Sequence, residues 1–475
     1  MPPPLRRHGG GRPGAQCRVR TRGPAHRRLH VLTERDIVAS ALSITPRSAG
    51  ARRPVRVLKF GGTSMGTTPE ELARIARIVA AAHARSDVVV VVSARGDRTD
   101  RLIDEARSAS AAPPGRELDQ LLATGEAGSA ALLAIALHGL GVPAVSLLGS
   151  QAGFTVSGRH ANGRIQDVDT SRVRQALSRG EAAVVAGFQG VNAAGDVITL
   201  GRGGSDTSAV ALAVALGAAQ CEIYTDVDGV FSADPRIVPG ARPIPLLRSG
   251  VMSEMAHAGA RVLHTRSVEL AGRAGVDLHV RSTFSRNPGT VVVSGQEGAD
   301  IAMLETEDRV TAVSHEPHSA RVTAVGTSPD APLLGTEVLA LLADASVPID
   351  VLSRFTDASH GHGWDFTVPA ADVDTVTSLL TSLPCRVAVD PAVAKVSLVG
   401  AGLMSDTRTL ARMLNALLAA GIDPLSLSTS QSRISATVGE ADCSRAVAVL
   451  HGEFMPVPEP CGTTKRTAVA VGSPV

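Results

Sequence analysis

Short runs of β-branched residues alternate with longer alanine-rich stretches along the chain from Val55 onward. The short runs show no polar alternation, which indicates strands that are buried on both faces. Strands of this kind, separated by helices, are typical of an α/β fold in which helices sandwich a mostly parallel sheet. The predicted strands are Val55–Phe60, Asp87–Ser93, Ala144–Leu148, Ala182–Gly187 and Cys221–Thr225, and the predicted helices are Pro69–Ala84, Leu118–Gly139, Thr170–Ser178 and Thr207–Leu216.

A lysine and two glycines end the first predicted strand, in the segment Lys59-Phe-Gly-Gly62. Lysine is a rare choice in this chain, which has three lysines and 44 arginines. A compact ammonium beside two glycines suits contact with phosphate oxygens. A surface lysine at a strand end would give the same pattern, so this motif alone leaves both readings open.

The segment Gly201–Ser208 reads Gly-Arg-Gly-Gly-Ser-Asp-Thr-Ser and precedes a long apolar run. Ser205-Asp-Thr207 predicts a helix N-cap, and a helix N-terminus attracts anions. Arg202 offers a planar fork for a carboxylate or phosphate, whereas Asp206 can receive an ammonium or orient a cation. A tight turn with a solvated arginine is the alternative, but it does not require both charges beside the glycines.

Together with Thr225-Asp226 and the loop Phe231–Arg236, these segments resemble the amino acid kinase superfamily and, within it, the aspartokinases. The resemblance runs from about Arg56 to Phe454 and includes Gly125-Glu126 and the Gly-Ala-Arg-Val-Leu-His segment that ends at His264. Any one motif is unspecific, but their order and spacing are highly specific. The resemblance implies an amino acid kinase fold followed by two ferredoxin-like ACT domains.

The resemblance also implies a reaction: ATP-dependent phosphorylation of the L-aspartate side chain to 4-phospho-L-aspartate, which opens lysine, threonine and methionine biosynthesis. The implied catalytic residues are Lys59, Arg202 and Asp206. The implied aspartate-binding residues are Thr99, Glu126, Arg202, Gly203, Gly204 and Ser205. The implied ATP-binding residues are Lys59, Phe60, Gly61, Gly62, Ser93, Ser205, Thr225, Asp226, Phe231, Asp234, Arg236 and Arg261. ATP would be the co-substrate with Mg²⁺ on its phosphates, and no metal site in the protein is implied.

Four residues at three sites depart from the aspartokinase pattern. Arg261 stands where the family usually has a lysine, Ala127 replaces an arginine, and Gly250-Val251 replaces an acidic pair. Two alternatives therefore stay open. One is a catalytically weakened paralogue with a regulatory or scaffolding role, and the other is a superfamily kinase acting on glutamate, acetylglutamate, carbamate or UMP. The segments around Glu126 and Arg202, with the paired repeats described next, favour an aspartate kinase.

The C-terminal part contains a weak internal repeat of strand, helix and strand. Its first copy begins at Arg321–Gly326 and its second at Lys395–Gly400. The repeat resembles tandem ACT domains, which bind lysine or threonine at their seam, although a purely dimerising pair is the alternative. The implied effector residues are Asp350, Asp423 and Ser430. Arg354 in place of a glutamine, and Asp423-Pro424 in place of an Asn-Ile pair, predict weakened feedback regulation.

These patterns give domain boundaries. Residues 1–58 contain 13 arginines and two acidic residues, and a segment so poor in apolar residues is predicted to be disordered. A transit peptide, a nucleic-acid arm or a start codon assigned too early would look similar. The predicted organisation is a tail 1–53, a catalytic domain 54–296, ACT domains 305–390 and 391–460, and a tail 461–475.

Composition limits partners and location. No uninterrupted apolar run reaches the ~20 residues of a membrane span. The five cysteines are widely spaced and odd in number, which indicates neither a disulfide framework nor a zinc site. We therefore predict a cytoplasmic homo-oligomer joined through its ACT domains, with L-aspartate and ATP as ligands and with no nucleic acid or membrane as partner. An internal start such as Met303 would add a separate regulatory chain.

Overall fold

The computed structural model describes residues 53–295, 310–327, 334–357, 361–405 and 407–455. All of them belong to one compact unit, Ser48–Val475. The predicted N-terminal tail except Arg53, the predicted tail 461–475 and the internal start Met303 lie outside these residues.

The part of the chain up to residue 295 alternates strands and helices. The strands are β1 (Val55–Phe60), β2 (Asp87–Val92), β3 (Ala144–Leu147), β4 (Phe154–Arg159), β5 (Asn162–Val168), β6 (Ala182–Ala186), β7 (Gln189–Val191), β8 (Val197–Thr199), β9 (Gln220–Thr225), β10 (Leu246–Arg248), β11 (Asp277–Ser282) and β12 (Thr290–Val293). The helices are α1 (Gly62–Met65), α2 (Pro69–His83), α3 (Arg98–Ala109), α4 (Gly115–Gly139), α5 (Ser171–Ser178), α6 (Gly204–Leu216), α7 (Ser249–His257) and α8 (Thr265–Ala274). Every predicted strand and helix in this part is confirmed to within a few residues at its ends.

Eight of these strands form one sheet in the order β10-β12-β11-β9-β1-β2-β6-β3. All neighbours are parallel except β11 and β12. Helices cover both faces, so successive residues of β2 enter different cores: Val91 packs in one and Val90 in the other. This arrangement explains the uninterrupted valines of β2 and confirms the predicted α/β class.

A small sheet in the order β5-β4-β7-β8 contains two strands that precede β6 in the chain and two that follow it. Asp119 of α4 holds it in place. This side chain is fully buried and accepts hydrogen bonds from the Thr199 hydroxyl at 2.5 Å and from the Thr199 N–H at 3.1 Å. His160 Nδ1 lies 2.8 Å from the same carboxylate. Residues far apart in the chain therefore fix the small sheet to α4.

Within the described residues, α4 is the one helix long and apolar enough to cross a membrane by length and composition. Half of its apolar stretch is buried. It packs against α2, α3, β3 and β6. Burial against the sheet accounts for its apolar composition, as it does in the core helices of globular domains.

The remaining elements form a second layered unit. The strands are β13 (Val310–Gly326), β14 (Asp350–Asp357), β15 (Gly361–Pro369), β16 (Cys385–Gly400), β17 (Ser426–Thr429) and β18 (Arg433–Gly439), the α-helices are α9 (Leu334–Asp344), α10 (Val373–Leu380), α11 (Thr407–Ala419) and α12 (Cys443–Phe454), and one-turn 3₁₀ helices span Ala370–Asp372, Leu403–Ser405 and Glu440–Asp442. One sheet joins the strands in the order β14-β15-β13-β16-β18-β17. The two copies of the predicted repeat thus share a single sheet.

The long strands β13 and β16 run antiparallel through both repeats. Their register places Val310 opposite Gly400 and Gly326 opposite Cys385, with irregularities between Glu316 and Arg321. Beyond this irregularity β13 also pairs with β15, whereas residues 310–316 pair with β16 alone, beside β18. Residues 310–316 therefore extend the sheet of the second repeat, although they precede the first repeat in the chain. The boundaries between the predicted ACT domains stay a prediction.

Candidate active site

The turns after β1 and β2 are locked together at the carboxyl edge of the main sheet. Ser93 N–H donates to the carbonyl of Phe60 at 3.1 Å, and Gly96 N–H donates to the carbonyl of Gly62 at 3.0 Å. Gly62 has no room for a side chain, because a Cβ there would lie 2.9 Å from the carbonyl oxygen of Ala94. The predicted phosphate-binding residues of both loops therefore lie side by side.

Lys59 and Asp206 form an ion pair at this edge, with Nζ 2.5 Å from Oδ1. Both residues are only 9% exposed. A buried ammonium such as that of Lys59 needs a counter-ion, and the Asp206 carboxylate in the first turn of α6 supplies it. The ammonium has two further N–H donors, which none of the described residues accepts through a hydrogen bond. Asp206 therefore fixes the position of the Lys59 ammonium and leaves two of its N–H donors available for a ligand.

Helix α6 begins at Gly204, and its N-cap is Gly203 in the left-handed conformation with φ of 68°. The predicted cap Ser205-Asp-Thr207 is therefore wrong, since these residues form the first turn. The cause is the crowding at Gly203, where any Cβ would clash with the ring of His264. The chain has to turn at that glycine, and as a result Asp206 faces Lys59 instead of capping the helix.

Glu126 on α4 has one satisfied and one unsatisfied oxygen. Its Oε1 accepts the Ala94 N–H at 3.0 Å, while the buried Oε2 has no hydrogen-bond partner among the described residues. Gly125 allows this close approach, because a Cβ there would lie 2.9 Å from the Cβ of Ala94. Burial raises the pKa of Glu126 to about 7, against the opposing effect of the Ala94 N–H. An unpaired buried carboxylate oxygen is suited to an ammonium ligand.

The other predicted aspartate-binding residues differ in their exposure to solvent. Arg202 is exposed, and no described residue forms a hydrogen bond or ion pair with its guanidinium. Thr99 lies half-buried in the first turn of α3. Ser205 is buried against Gly187, where a Cβ would lie 2.9 Å from the Cβ of Ser205. A free arginine fork at the mouth and a carboxylate inside give the site two opposite charges for a zwitterionic ligand.

Two cavities extend from this edge. The first has a volume of about 320 Å³, and its lining includes Gly203, Asp206 and His264. The second has a volume of about 450 Å³, and its lining includes the predicted ATP-binding residues Thr225, Asp226, Phe231, Asp234 and Arg236. Arg261 lines both cavities. A ligand that reaches from the second cavity toward Asp206 therefore passes the Arg261 side chain.

His264 lines the first cavity, although the sequence did not single it out as a site residue. Its Nδ1 accepts the Arg266 N–H at 3.3 Å, so the remaining ring nitrogen carries the proton in the neutral form. Burial lowers the pKa of His264, although Asp206 opposes the shift. Its position at the end of the Gly259–His264 segment is the signal that could have identified it. Within the described part of the chain, no group of three or more His, Cys, Asp or Glu side chains could hold a metal ion.

Comparison with known proteins identifies the family. A model of the Amino acid kinase family matches residues 54–282, and an ACT domain model matches residues 396–454. The aspartokinase of Mycolicibacterium smegmatis is 46% identical over 408 residues, which cover 84% of this chain and 95% of the relative. This chain belongs to the aspartokinase family. The aspartokinase of Geobacillus stearothermophilus is 41% identical over 84% of the chain and 96% of its own length.

A solved aspartokinase shares the architecture. The structure of E. coli aspartokinase III in complex with aspartate and ADP matches with a TM-score of 0.71, over 84% of this chain and 99% of that one. At 23% identity the agreement concerns the fold alone. It confirms the predicted amino acid kinase fold with a C-terminal ACT region, and the family confirms the predicted kinase activity.

One predicted effector residue, Asp350, lies where the two repeats meet. Asp350 accepts hydrogen bonds from Lys395 at 2.9 Å and from two nitrogens of Arg433 at 3.2 Å each. Burial acts to raise the pKa of Asp350, but Lys395 and Arg433 together hold it well below its usual range. Asp423 is exposed, and Ser430 N–H donates to the carbonyl of Arg433 at 2.7 Å. Their effector roles stay predictions.

Proposed function

We propose that this chain transfers the γ-phosphoryl group of ATP to the side-chain carboxylate of L-aspartate. A carboxylate oxygen attacks the γ-phosphorus, the bond to the β,γ-bridging oxygen breaks, and ADP and 4-phospho-L-aspartate form. A carboxylate is already a nucleophile at neutral pH, so no general base is needed. Catalysis then consists of aligning two anions and neutralising their charge.

The unpaired oxygen of Glu126 is the observation that supports L-aspartate as the phosphoryl acceptor. A buried carboxylate with one free oxygen recognises an ammonium group, which L-aspartate has. Acetylglutamate, carbamate and UMP lack a free α-ammonium, so this oxygen would stay unsatisfied with any of them. Glutamate keeps the ammonium and differs in chain length alone. Arg202 supplies the opposite charge, for an aspartate carboxylate.

The two cavities support MgATP as the donor. The second cavity would hold the base and ribose, and the phosphates would then extend past Arg261 toward Lys59. The free N–H groups of the Lys59 ammonium suit the γ-phosphate oxygens, and Mg²⁺ would arrive bound to the phosphates. The ACT-like sheet would join copies of the chain into a homo-oligomer, as predicted from the sequence. The product would feed lysine, threonine and methionine synthesis.

The test is a coupled assay in which hydroxylamine traps the acyl phosphate as a hydroxamate. The full chain is supplied with MgATP and, in separate reactions, L-aspartate, L-glutamate, N-acetyl-L-glutamate, carbamate and UMP, with ADP release as a second readout. Product from L-aspartate alone is the expected result. Turnover of another acceptor but not of aspartate would refute the proposal.

One departure from the family pattern favours a second candidate, a catalytically weakened paralogue. Arg261 lines both cavities, and a guanidinium cannot replace the point charge of the usual lysine in every contact. The variant Arg261→Lys separates the candidates in the same assay. A wild-type chain that binds MgATP yet forms no hydroxamate, and gains activity with Arg261→Lys, would establish the weakened paralogue.

A further inference from the structure

The six-stranded sheet of the C-terminal repeats, called the regulatory sheet below, forms one wall of the second cavity. Beside the predicted nucleotide loop, the lining includes Val313, Ser314, His315 and Pro317, all on β13. This strand belongs to the six-stranded sheet of the C-terminal repeats. The cavity therefore lies between the catalytic domain and the repeats, and neither part encloses it alone.

Contacts on two sides fix β13 against the cavity. Val313 N–H donates to the carbonyl of Ser232 at 2.8 Å, and Ser232 belongs to the loop Phe231–Arg236. On the other side the backbone of Gly259 has φ of 101° and passes so close to the carbonyl of His315 that any Cβ would clash. The strand is thus held between the nucleotide loop and the turn that leads to Arg261.

The same loop is also packed into the second repeat. Ala233 lies in one hydrophobic core with Val313 and with Phe454 of α12. The Ser232 hydroxyl lies 2.9 Å from Nε2 of His451, also on α12. These contacts couple the loop to the second repeat, so the loop and the β13 wall of the cavity are held by the same packing.

Two polar side chains of this wall have no hydrogen-bond partner among the described residues: the Ser314 hydroxyl, which is buried, and the His315 imidazole. His315 is the larger and the less buried of the two, so it reaches further toward a ligand. It is half-buried, and burial lowers the pKa of His315, with Asp234 opposing the shift and Arg236 and Arg261 adding to it. A neutral imidazole offers one N–H donor and one nitrogen acceptor. Adenine edges and ribose hydroxyls need that combination.

We propose that His315 is a nucleotide-binding residue, which hydrogen-bonds the base and ribose end of ATP from the regulatory sheet. The inference rests on the proposed function, because it requires the ATP site to occupy the second cavity. It adds a contact that comes from outside the catalytic domain. Nucleotide affinity then depends directly on where the regulatory sheet places β13.

The test uses three variants of the full chain. His315→Phe keeps a ring of similar size and removes both nitrogens, whereas His315→Gln keeps a donor and an acceptor. His318→Ala is the matched control, since His318 lies on the same strand, is exposed, and contacts Glu440 at 2.8 Å. Calorimetry measures the Kd for MgADP, steady-state kinetics measures the KM values for ATP and aspartate, and thermal unfolding checks the fold.

We expect His315→Phe to weaken MgADP and ATP binding by roughly three- to tenfold, with the KM for aspartate unchanged. His315→Gln should recover most of that loss, and His318→Ala should match the wild type. Wild-type nucleotide affinity in His315→Phe would overturn the inference while leaving the proposed function intact. Equal losses of nucleotide and aspartate binding in both His315 variants would also overturn it, because they indicate a structural role. A wild-type chain that binds no MgADP would overturn the proposed function itself and this inference with it.

Discussion

Glu126→Gln tests the aspartate site most directly, because it changes one charge and little else. Glutamine matches glutamate in size, and its amide oxygen can still accept the Ala94 N–H. The loss is the negative charge that the substrate ammonium would meet at Oε2. Removing one partner of a buried, hydrogen-bonded charge pair costs about 2–4 kcal/mol. That is roughly a 30- to 1000-fold fall in kcat/KM for aspartate in the hydroxamate assay.

The pH profile provides an independent signature of the same residue. Because burial raises the pKa of Glu126 to about 7, the carboxylate loses its charge as the pH falls through that value. At saturating MgATP, kcat/KM for aspartate should therefore fall about tenfold per pH unit below the pKa in the wild type. Glu126→Gln should show no such fall in this range. The same fall in kcat/KM at low pH in both proteins would show that Glu126 is not the group that binds the substrate ammonium.

The stability of the chain without ligands should depend on pH in the opposite sense to kcat/KM: it should fall as the pH rises. The pKa of Glu126 rises from 4.5 to about 7 on folding, so between these pH values the folded state keeps a proton that the unfolded state has released. Stability therefore falls as the pH rises through this window, by roughly 3 kcal/mol. Glutamine does not ionise, so Glu126→Gln should resist denaturant better than the wild type above the window and lose this advantage below it. A destabilised variant above the window would contradict the argument from burial.

Three further changes have expected outcomes. Lys59→Ala should lower kcat by about 10²- to 10³-fold with aspartate binding nearly intact, because its charge serves the phosphates; near-normal turnover would contradict this role. Arg202→Lys should raise the KM for aspartate, since one ammonium cannot reproduce a bidentate carboxylate contact; an unchanged KM would exclude that contact. L-lysine and L-threonine, alone or together, should inhibit weakly in an activity titration, because Arg354 and Asp423-Pro424 alter the implied effector contacts; strong sub-millimolar inhibition would show a different arrangement.

Sequence periodicity predicted five of the eight strands of the main sheet (β1, β2, β3, β6 and β9) and none of the small sheet. Strand β2 is covered on both faces, so its five valines in succession are a clear signal. Strands β7 and β8 have three residues each, which is too short for a recognisable period. Strand β8 is held by the buried carboxylate of Asp119, a contact between residues 80 positions apart in the chain. Patterns along the chain carry no information about such a contact.

The motifs named candidate site residues but not their pairing. Order along the chain placed Lys59, Ser93 and Asp226 at or just after the ends of predicted strands, where ligands bind in sheets of this kind. Glu126 fell within a predicted helix, and Asp206 fell at the start of another. The ion pair of Lys59 with Asp206 depends on how α6 packs on β1, and the free oxygen of Glu126 depends on how α4 meets Ala94. The place of His315 depends on the register of β13 with β16. Tertiary packing decides each of these features, so the sequence alone could not predict them.

The charges between the repeats give the expectation of weak feedback a physical basis. Lys395 and Arg433 already occupy the carboxylate of Asp350 within one chain, and Arg433 also lies 3.8 Å from Glu254 on α7. An effector that binds Asp350 through its ammonium has to displace a lysine ammonium of the chain, so it gains only the difference between two similar interactions. Helix α7 leads directly into the turn that carries Arg261. Displacing Arg433 from this cluster would therefore also remove its contact with the helix that precedes Arg261, a residue that lines the proposed ATP site.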